Sequence, residues 1–160
     1  MSRLLLILVL ALTPISPALA GDAAPTIQDM DGKTVASDTI GVAGKPMLVV
    51  FWATWDSPSK RALNTIHPLR AGWTQATGAT VVIVSIDDAR NKHKVKPYVD
   101  SKGWTFASYI DATGALAAKM GVEQPPTAFV LDSQRNVVQT FQGYVDGDEA
   151  KWEAALKAAK

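Results

Sequence analysis

Asp56 and Ser59 are the residues whose types and spacing most invite a chemical interpretation. They lie three residues apart in the stretch Phe51–Lys60, which reads Phe-Trp-Ala-Thr-Trp-Asp-Ser-Pro-Ser-Lys. A serine nucleophile at this place would need a base that removes its proton. Neither of the two histidines, His67 and His93, has a spacing that suits this task. We therefore expect no catalytic residue in this stretch.

The composition excludes several kinds of chemistry outright. The chain contains no cysteine, so it cannot form a disulfide or carry out thiol–disulfide exchange, which requires an attacking thiolate. With two histidines, no thiols and no ligand spacing among the methionines, it lacks a ligand set for zinc or copper. No glycine-rich phosphate loop follows a strand. The sequence thus predicts neither a metal site nor a cofactor.

The first twenty residues have the pattern of a bacterial secretory signal peptide. Arg3 supplies the positive charge, residues 4–12 form an unbroken apolar run, and Ala18-Leu19-Ala20 fits a cleavage site. Nine apolar residues are too few to span a bilayer, which takes about 20; the alternative is a short N-terminal anchor. We expect a signal peptide at 1–20, a folded domain at 21–160, a periplasmic or secreted location, and no membrane insertion after cleavage.

Length and charge limit the classes of partner. About 140 residues after cleavage suit one domain with one core. The formal net charge of the full chain is +1, and it is about zero without Arg3. Such a neutral surface offers no electrostatic footprint for nucleic acid. We expect a monomer that does not bind nucleic acid.

Strand-like and helix-like patterns alternate along the rest of the chain. Residues 47–53 are a continuous apolar run, typical of a strand buried on both faces, and Leu63, Ile66, Leu69 and Trp73 recur at helical spacing after it. The predicted elements are a hairpin at 27–34, strands at 47–53, 79–86 and 104–110, helices at 57–77, 91–102, 115–120 and 149–159, and a hairpin at 127–143. This order indicates an α/β domain of three layers, with a mixed central sheet, an N-terminal hairpin and helices on both faces.

Three sequence landmarks, together with this order of elements, resemble the thioredoxin-like proteins. They are Phe51–Trp55, Pro58 and the loop Gly121–Thr127, which reads Gly-Val-Glu-Gln-Pro-Pro-Thr. In detail the chain is similar to the TlpA/ResA-type exported thiol–disulfide oxidoreductases. The resemblance covers residues from about 25 to 160. It implies that Pro126 is a cis-proline and that Asp56 and Ser59 occupy the positions of the two active-site cysteines.

The resemblance also implies a groove in which relatives contact an extended partner. Its residues here would be Trp55, Ser57, Pro58, Pro125 and Pro126. The backbone of the residue before the cis-proline usually pairs with the bound segment. Proline at position 125 has no N–H to offer, so one hydrogen-bond donor of this pairing is missing.

The sequence leaves two interpretations open for the carboxylate near the second strand and two for that of Asp56. The position of thioredoxin's buried acid is Val50 here, whereas relatives of the TlpA/ResA type use an acid near the second strand. Asp88, with Asp87 beside it, is the nearest match; the alternative is a solvated acid at a helix start. Asp56 either replaces the charge of the thiolate without its reactivity or is simply a helix cap.

Three functions follow from these patterns. The first is a thioredoxin-fold module without redox chemistry, which binds an envelope protein or an extended peptide, or acts like a chaperone. The second is a member of the oxidoreductase family whose activity has been lost or whose cysteines have been substituted. The third is acid–base catalysis by Asp56. The absence of cysteine favours the first, so we expect a protein that is not an enzyme.

Overall fold

Seven strands form one mixed sheet in the computed structural model, which describes residues 23–159. Across the sheet the order is β2-β1-β5-β4-β3-β6-β7. β3, β4 and β5 run parallel, and the other neighbouring pairs are antiparallel. The strands are β1 (Thr26–Asp29), β2 (Thr34–Ala36), β3 (Met47–Trp52), β4 (Thr80–Ser85), β5 (Ala107–Ile110), β6 (Thr127–Leu131) and β7 (Val137–Gln142).

Four helices complete the three layers: α1 (Ser57–Thr77), α2 (Val95–Ser101), α3 (Ala115–Lys119) and α4 (Asp148–Ala158). Side chains of α1, α2 and α4 join one core cluster on one face of the sheet, and α3 joins a second cluster on the other face. The predicted thioredoxin-like α/β architecture, with an N-terminal hairpin and helices on both faces, is therefore confirmed.

The predicted signal peptide at 1–20 lies outside the described residues, as do the first two residues and the last residue of the predicted domain. From residue 23 to residue 159, no helix combines the length and the hydrophobicity needed to cross a membrane.

β3 is the central element that carries the candidate site. All six of its residues are buried, as its unbroken apolar sequence predicts. Val50 and Trp52 face the cluster under α1 and α4, whereas Phe51 faces the cluster under α3. Because β3 leads directly into α1, the N-terminus of this helix lies at the edge of the sheet.

α1 begins and ends where the sequence predicts. Gly78 ends it in the left-handed conformation (φ 74°), and its N–H donates to the Thr74 carbonyl. Leu63, Ile66 and Trp73 are buried, but Leu69 is 39% exposed. The prediction for Leu69 was wrong because this residue lies about 60° around the helix from Ile66, at the margin of the apolar stripe.

The basic segment after β4 is not one helix over 91–102. Residues 92–94 form a 3₁₀ turn, and α2 starts only at Val95. Pro97 explains this start, because proline has no N–H to donate to the carbonyl four residues earlier and is tolerated only in the first turn of a helix. The predicted strand at 104–110 is likewise shorter, since Trp104 and Phe106 pack into the aromatic core before β5 begins.

Candidate functional site

Three segments meet at one edge of the sheet. The turn 53–56 follows β3, and the loop 124–126 precedes β6; they lie side by side because Phe51 pairs with Thr127 in the antiparallel register. The third segment, residues 143–147, follows β7, and its Gly143 N–H donates to the Pro126 carbonyl at 2.8 Å. Oδ1 of Asp146, in this segment, lies 4.0 Å from the Nη1 atom of Arg61 in α1.

Asp56 is the N-cap of α1. Its backbone is extended (φ −96°, ψ 114°), and its Oδ2 accepts the Ser59 N–H at 2.8 Å. Pro58 follows as the second residue of the helix, where no N–H is needed. Capping by aspartate contributes about 1 kcal/mol, and the positive end of the helix favours its charge. Capping is thus a sufficient structural reason for an aspartate at this position.

Ser59 makes a second hydrogen bond to the same carboxylate. Its Oγ donates to Asp56 Oδ2 at 2.5 Å, and its side chain is fully buried. A hydroxyl that is already bonded and has no exposed surface cannot reach a substrate carbonyl. The carboxylate–hydroxyl pair therefore offers neither a free nucleophile nor a thiol.

The five predicted groove residues come together at this edge with different exposures. Trp55 is 61% exposed and Ser57 is also exposed, while Pro58 and Pro125 are half-buried. Pro126 is buried, and the Pro125–Pro126 peptide bond is cis, as the loop match implies. The accessible part of the groove is thus an indole, a serine and two proline rings.

Asp87, and not Asp88, is the acid that the structure buries behind the site. Its Oδ2 accepts the Thr54 N–H at 2.9 Å and the Ser85 hydroxyl at 2.7 Å, and its Oδ1 accepts the Thr54 hydroxyl at 2.6 Å. Asp88 is exposed and caps the turn at Arg90 and Asn91, so the match to Asp88 was wrong; it is a solvated acid as the alternative predicts, but it lies at a turn and not at a helix start. Asp87 therefore fixes the turn that presents Trp55 and Asp56.

The sequence carried a signal for Asp87 that the motif comparison missed. Ile83 and Ser85 alternate along β4, and Asp87 continues this alternation two residues beyond the end of the strand, which places it on the same face. The third segment has no comparable signal. Val145, which is 65% exposed between the site-bordering Tyr144 and Asp146, could not be assigned to the site from the sequence.

His67 lies away from Ser59, about 12 Å further along α1 at the helical rise per residue. Its Nε2 accepts the Thr105 N–H at 3.1 Å, and its ring packs edge-on against Phe106. Arg70 donates to the His67 carbonyl and to the Thr105 hydroxyl. His67 therefore joins α1 to the segment before β5 and does not act as a base for the site.

The free energy of unfolding should fall on mild acidification because of His67. Burial lowers the pKa of His67, and the Arg70 guanidinium lowers it further. The folded state then favours the neutral ring, so this contribution is full above the unfolded pKa of about 6.5 and is lost as the pH falls through the folded value. Urea unfolding from about pH 7.5 to 5.5 should show a smaller decrease for His67→Gln than for the wild type. His93→Gln, at an exposed position, should keep the wild-type decrease. If the free energy of unfolding falls equally in all three proteins, the attribution of this decrease to His67 is wrong.

Among residues 23–159, no three histidine or acidic side chains converge in a way that could hold a metal ion.

Comparison with known proteins places the chain among thioredoxin-like proteins. The profile of the Redoxin family matches residues 19–156. The thiol–disulfide oxidoreductase ResA of Bacillus anthracis is 26% identical over 117 residues, which cover 73% of this chain and 65% of ResA. The match thus spans less than two thirds of the curated relative.

Solved structures agree with this placement. An uncharacterized thioredoxin-like protein from Porphyromonas gingivalis superposes with a TM-score of 0.75 at 34% identity, over 85% of this chain and 89% of that protein. A putative thiol:disulfide interchange protein DsbE from Chlorobium tepidum gives a TM-score of 0.72 at 25% identity, over 87% and 96%.

Proposed function

The chain belongs to the Redoxin family and contains no cysteine, and from this combination we propose that it is an exported, non-catalytic binding module. Its partner is an envelope protein or an extended peptide that docks at the edge formed by the turn 53–56 and the loop 124–126. The pattern of the first twenty residues supports export to the periplasm or beyond.

The observation that carries the proposal is the pair at positions 56 and 59. Asp56 Oδ2 lies 2.5 Å from Ser59 Oγ, so the two side chains contact each other at the N-terminus of α1. The capped helix N-terminus and the cis-proline loop lie side by side, while the chain contains no thiol. Such a site can still present a surface, but it cannot exchange disulfides.

The surface around this pair supports binding. Trp55 and Val145 are among the most exposed large apolar side chains of residues 23–159, and they lie on two of the three segments that meet at the site. Exposed aromatic residues of this kind are typical of protein-binding surfaces. Asp87 holds the turn that carries Trp55, so this part of the surface is preformed.

Position-specific photo-crosslinking tests this function. Trp55→benzoylphenylalanine and Val145→benzoylphenylalanine place a probe on each side of the site, in cells that express and export the chain. Val137→benzoylphenylalanine is the control: Val137 is 49% exposed but pairs with Leu131, at the opposite end of β6 from Thr127. We expect one shared adduct from positions 55 and 145 that is absent from position 137. No adduct, or the same adducts from all three positions, would contradict a docking role for this edge.

A further inference from the structure

We propose that this edge selects a cationic segment, in which a lysine or arginine side chain lies against Trp55 and pairs with Asp56. The inference rests on the proposed docking function and adds the chemistry of the partner. It follows from the free hydrogen-bonding groups of the site, from its unpaired charges and from the exposed indole.

Two oxygens at the site are free to accept hydrogen bonds. Asp56 uses only Oδ2 for its two bonds to Ser59, and its Oδ1 accepts none from residues 23–159. In the loop 124–126, the Gln124 carbonyl accepts the Thr127 hydroxyl and the Pro126 carbonyl accepts the Gly143 N–H. The Pro125 carbonyl between them has no partner in the described chain. Since Pro125 lacks an N–H, a docked segment can only donate a hydrogen bond to the backbone of this residue.

The two basic residues nearest to Asp56 in the sequence, Lys60 and Arg61, contact other residues. Lys60 places its Nζ 5.8 Å from the centre of the Tyr98 ring, and Arg61 pairs with Asp146. Neither Asp56 nor Glu123, an exposed acid of the adjoining loop, forms an ion pair within residues 23–159. The end of α1 carries only about +0.5 of an elementary charge, which leaves the Asp56 carboxylate negative. The site therefore has a charge that is complementary to a cation.

Trp55 adds a second element of recognition. Its indole, 61% exposed, belongs to the residue that immediately precedes the carboxylate. Lysine and arginine side chains lay their apolar stems on aromatic rings and gain a cation–π attraction, with tryptophan the best partner. An aromatic face next to a free carboxylate thus suits a guanidinium or an ammonium group and disfavours an acidic side chain.

Three synthetic peptides test the inference directly. They are end-capped heptapeptides of alternating threonine and valine with arginine, citrulline or glutamate at the centre; citrulline keeps the shape of arginine without its charge. Binding to the ¹⁵N-labelled chain is followed at low salt by the shift of the Trp55 indole resonance. The arginine peptide should bind roughly tenfold more tightly than the citrulline peptide, the glutamate peptide should bind most weakly, and added salt should reduce the difference.

Two variants assign the preference to Asp56. Asp56→Asn keeps a good helix cap and should remove the difference between arginine and citrulline. Asp88→Asn makes the same change in net charge at an exposed acid that caps a different turn, and it should keep the difference. Equal affinity of the three peptides, a difference that survives Asp56→Asn, or no shift of the Trp55 indole at millimolar peptide would overturn the cationic preference. The crosslinking at positions 55 and 145 decides the docking function separately, so the two failures can be told apart.

Discussion

Replacing Asp87 by alanine should lower the free energy of unfolding by about 3 kcal/mol. The change leaves three donors without their acceptor, namely the Thr54 N–H, the Thr54 hydroxyl and the Ser85 hydroxyl. A buried donor without a partner costs about 1–3 kcal/mol, and the hydroxyls can partly find new acceptors by rotation. Urea unfolding measures the loss, and amide exchange at Thr54 and Asp56 should become faster because the turn 53–56 loses its anchor.

Two further variants distinguish the hydrogen bonds of Asp87 from its charge. Asp87→Asn keeps one oxygen for the Thr54 N–H and the Ser85 hydroxyl, and its amide can donate to the Thr54 oxygen, so it should lie within about 1 kcal/mol of the wild type. Asp88→Ala, at the exposed neighbour, should cost less than half as much as Asp87→Ala. If Asp87→Ala is as stable as the wild type, the cost of burying the carboxylate outweighs its bonds, and Asp87 is not the anchor of the site.

The fold was largely predictable because its strongest signals are local. The apolar run of β3 and the alternation of strands and helices can be recognised directly in the sequence. The bounds of α1 follow from Asp56 at its N-terminus and Gly78 at its C-terminus. The errors lie at the margin of an apolar helix face and at residues whose position depends on a long-range contact. Leu69 lies at the margin of its stripe, and Trp104 and Phe106 leave the predicted strand to pack with other aromatic residues.

The candidate site was predictable in its positions but not in its connections. Asp56 and Ser59 could be placed by their neighbours Trp55 and Pro58, and the structure brings them together at 2.5 Å. The roles of Asp87 and Asp88 depend on which of two adjacent residues faces inward, and the motif comparison did not resolve this. The segment 143–147 contacts the site through the hydrogen bond from Gly143 to Pro126 and the ion pair of Arg61 with Asp146, and no local sequence pattern encodes either contact.

Restoring two cysteines should turn this chain into a working thiol–disulfide oxidoreductase. In Asp56→Cys/Ser59→Cys the thiols would replace two side chains that are hydrogen-bonded to each other across the first turn of α1. The N-terminus of α1 would lower the pKa of the first thiol, which favours the reactive thiolate. We expect dithiothreitol-dependent insulin reduction by the double variant and only background rates for the wild type. Asp56→Ser, which keeps a hydroxyl at each position and adds no thiol, is the matched control and should stay at background.

This assay, combined with the reduction potential of the new cysteine pair, tests the central claim most directly. The claim is that the backbone at positions 56 and 59 can still support thiol–disulfide exchange and that only the two cysteines are absent. A disulfide that forms reversibly and a rate well above that of Asp56→Ser are the predicted results. A double variant that folds with the same helix content and stability as the wild type, yet forms no disulfide or reduces no insulin, would contradict the claim.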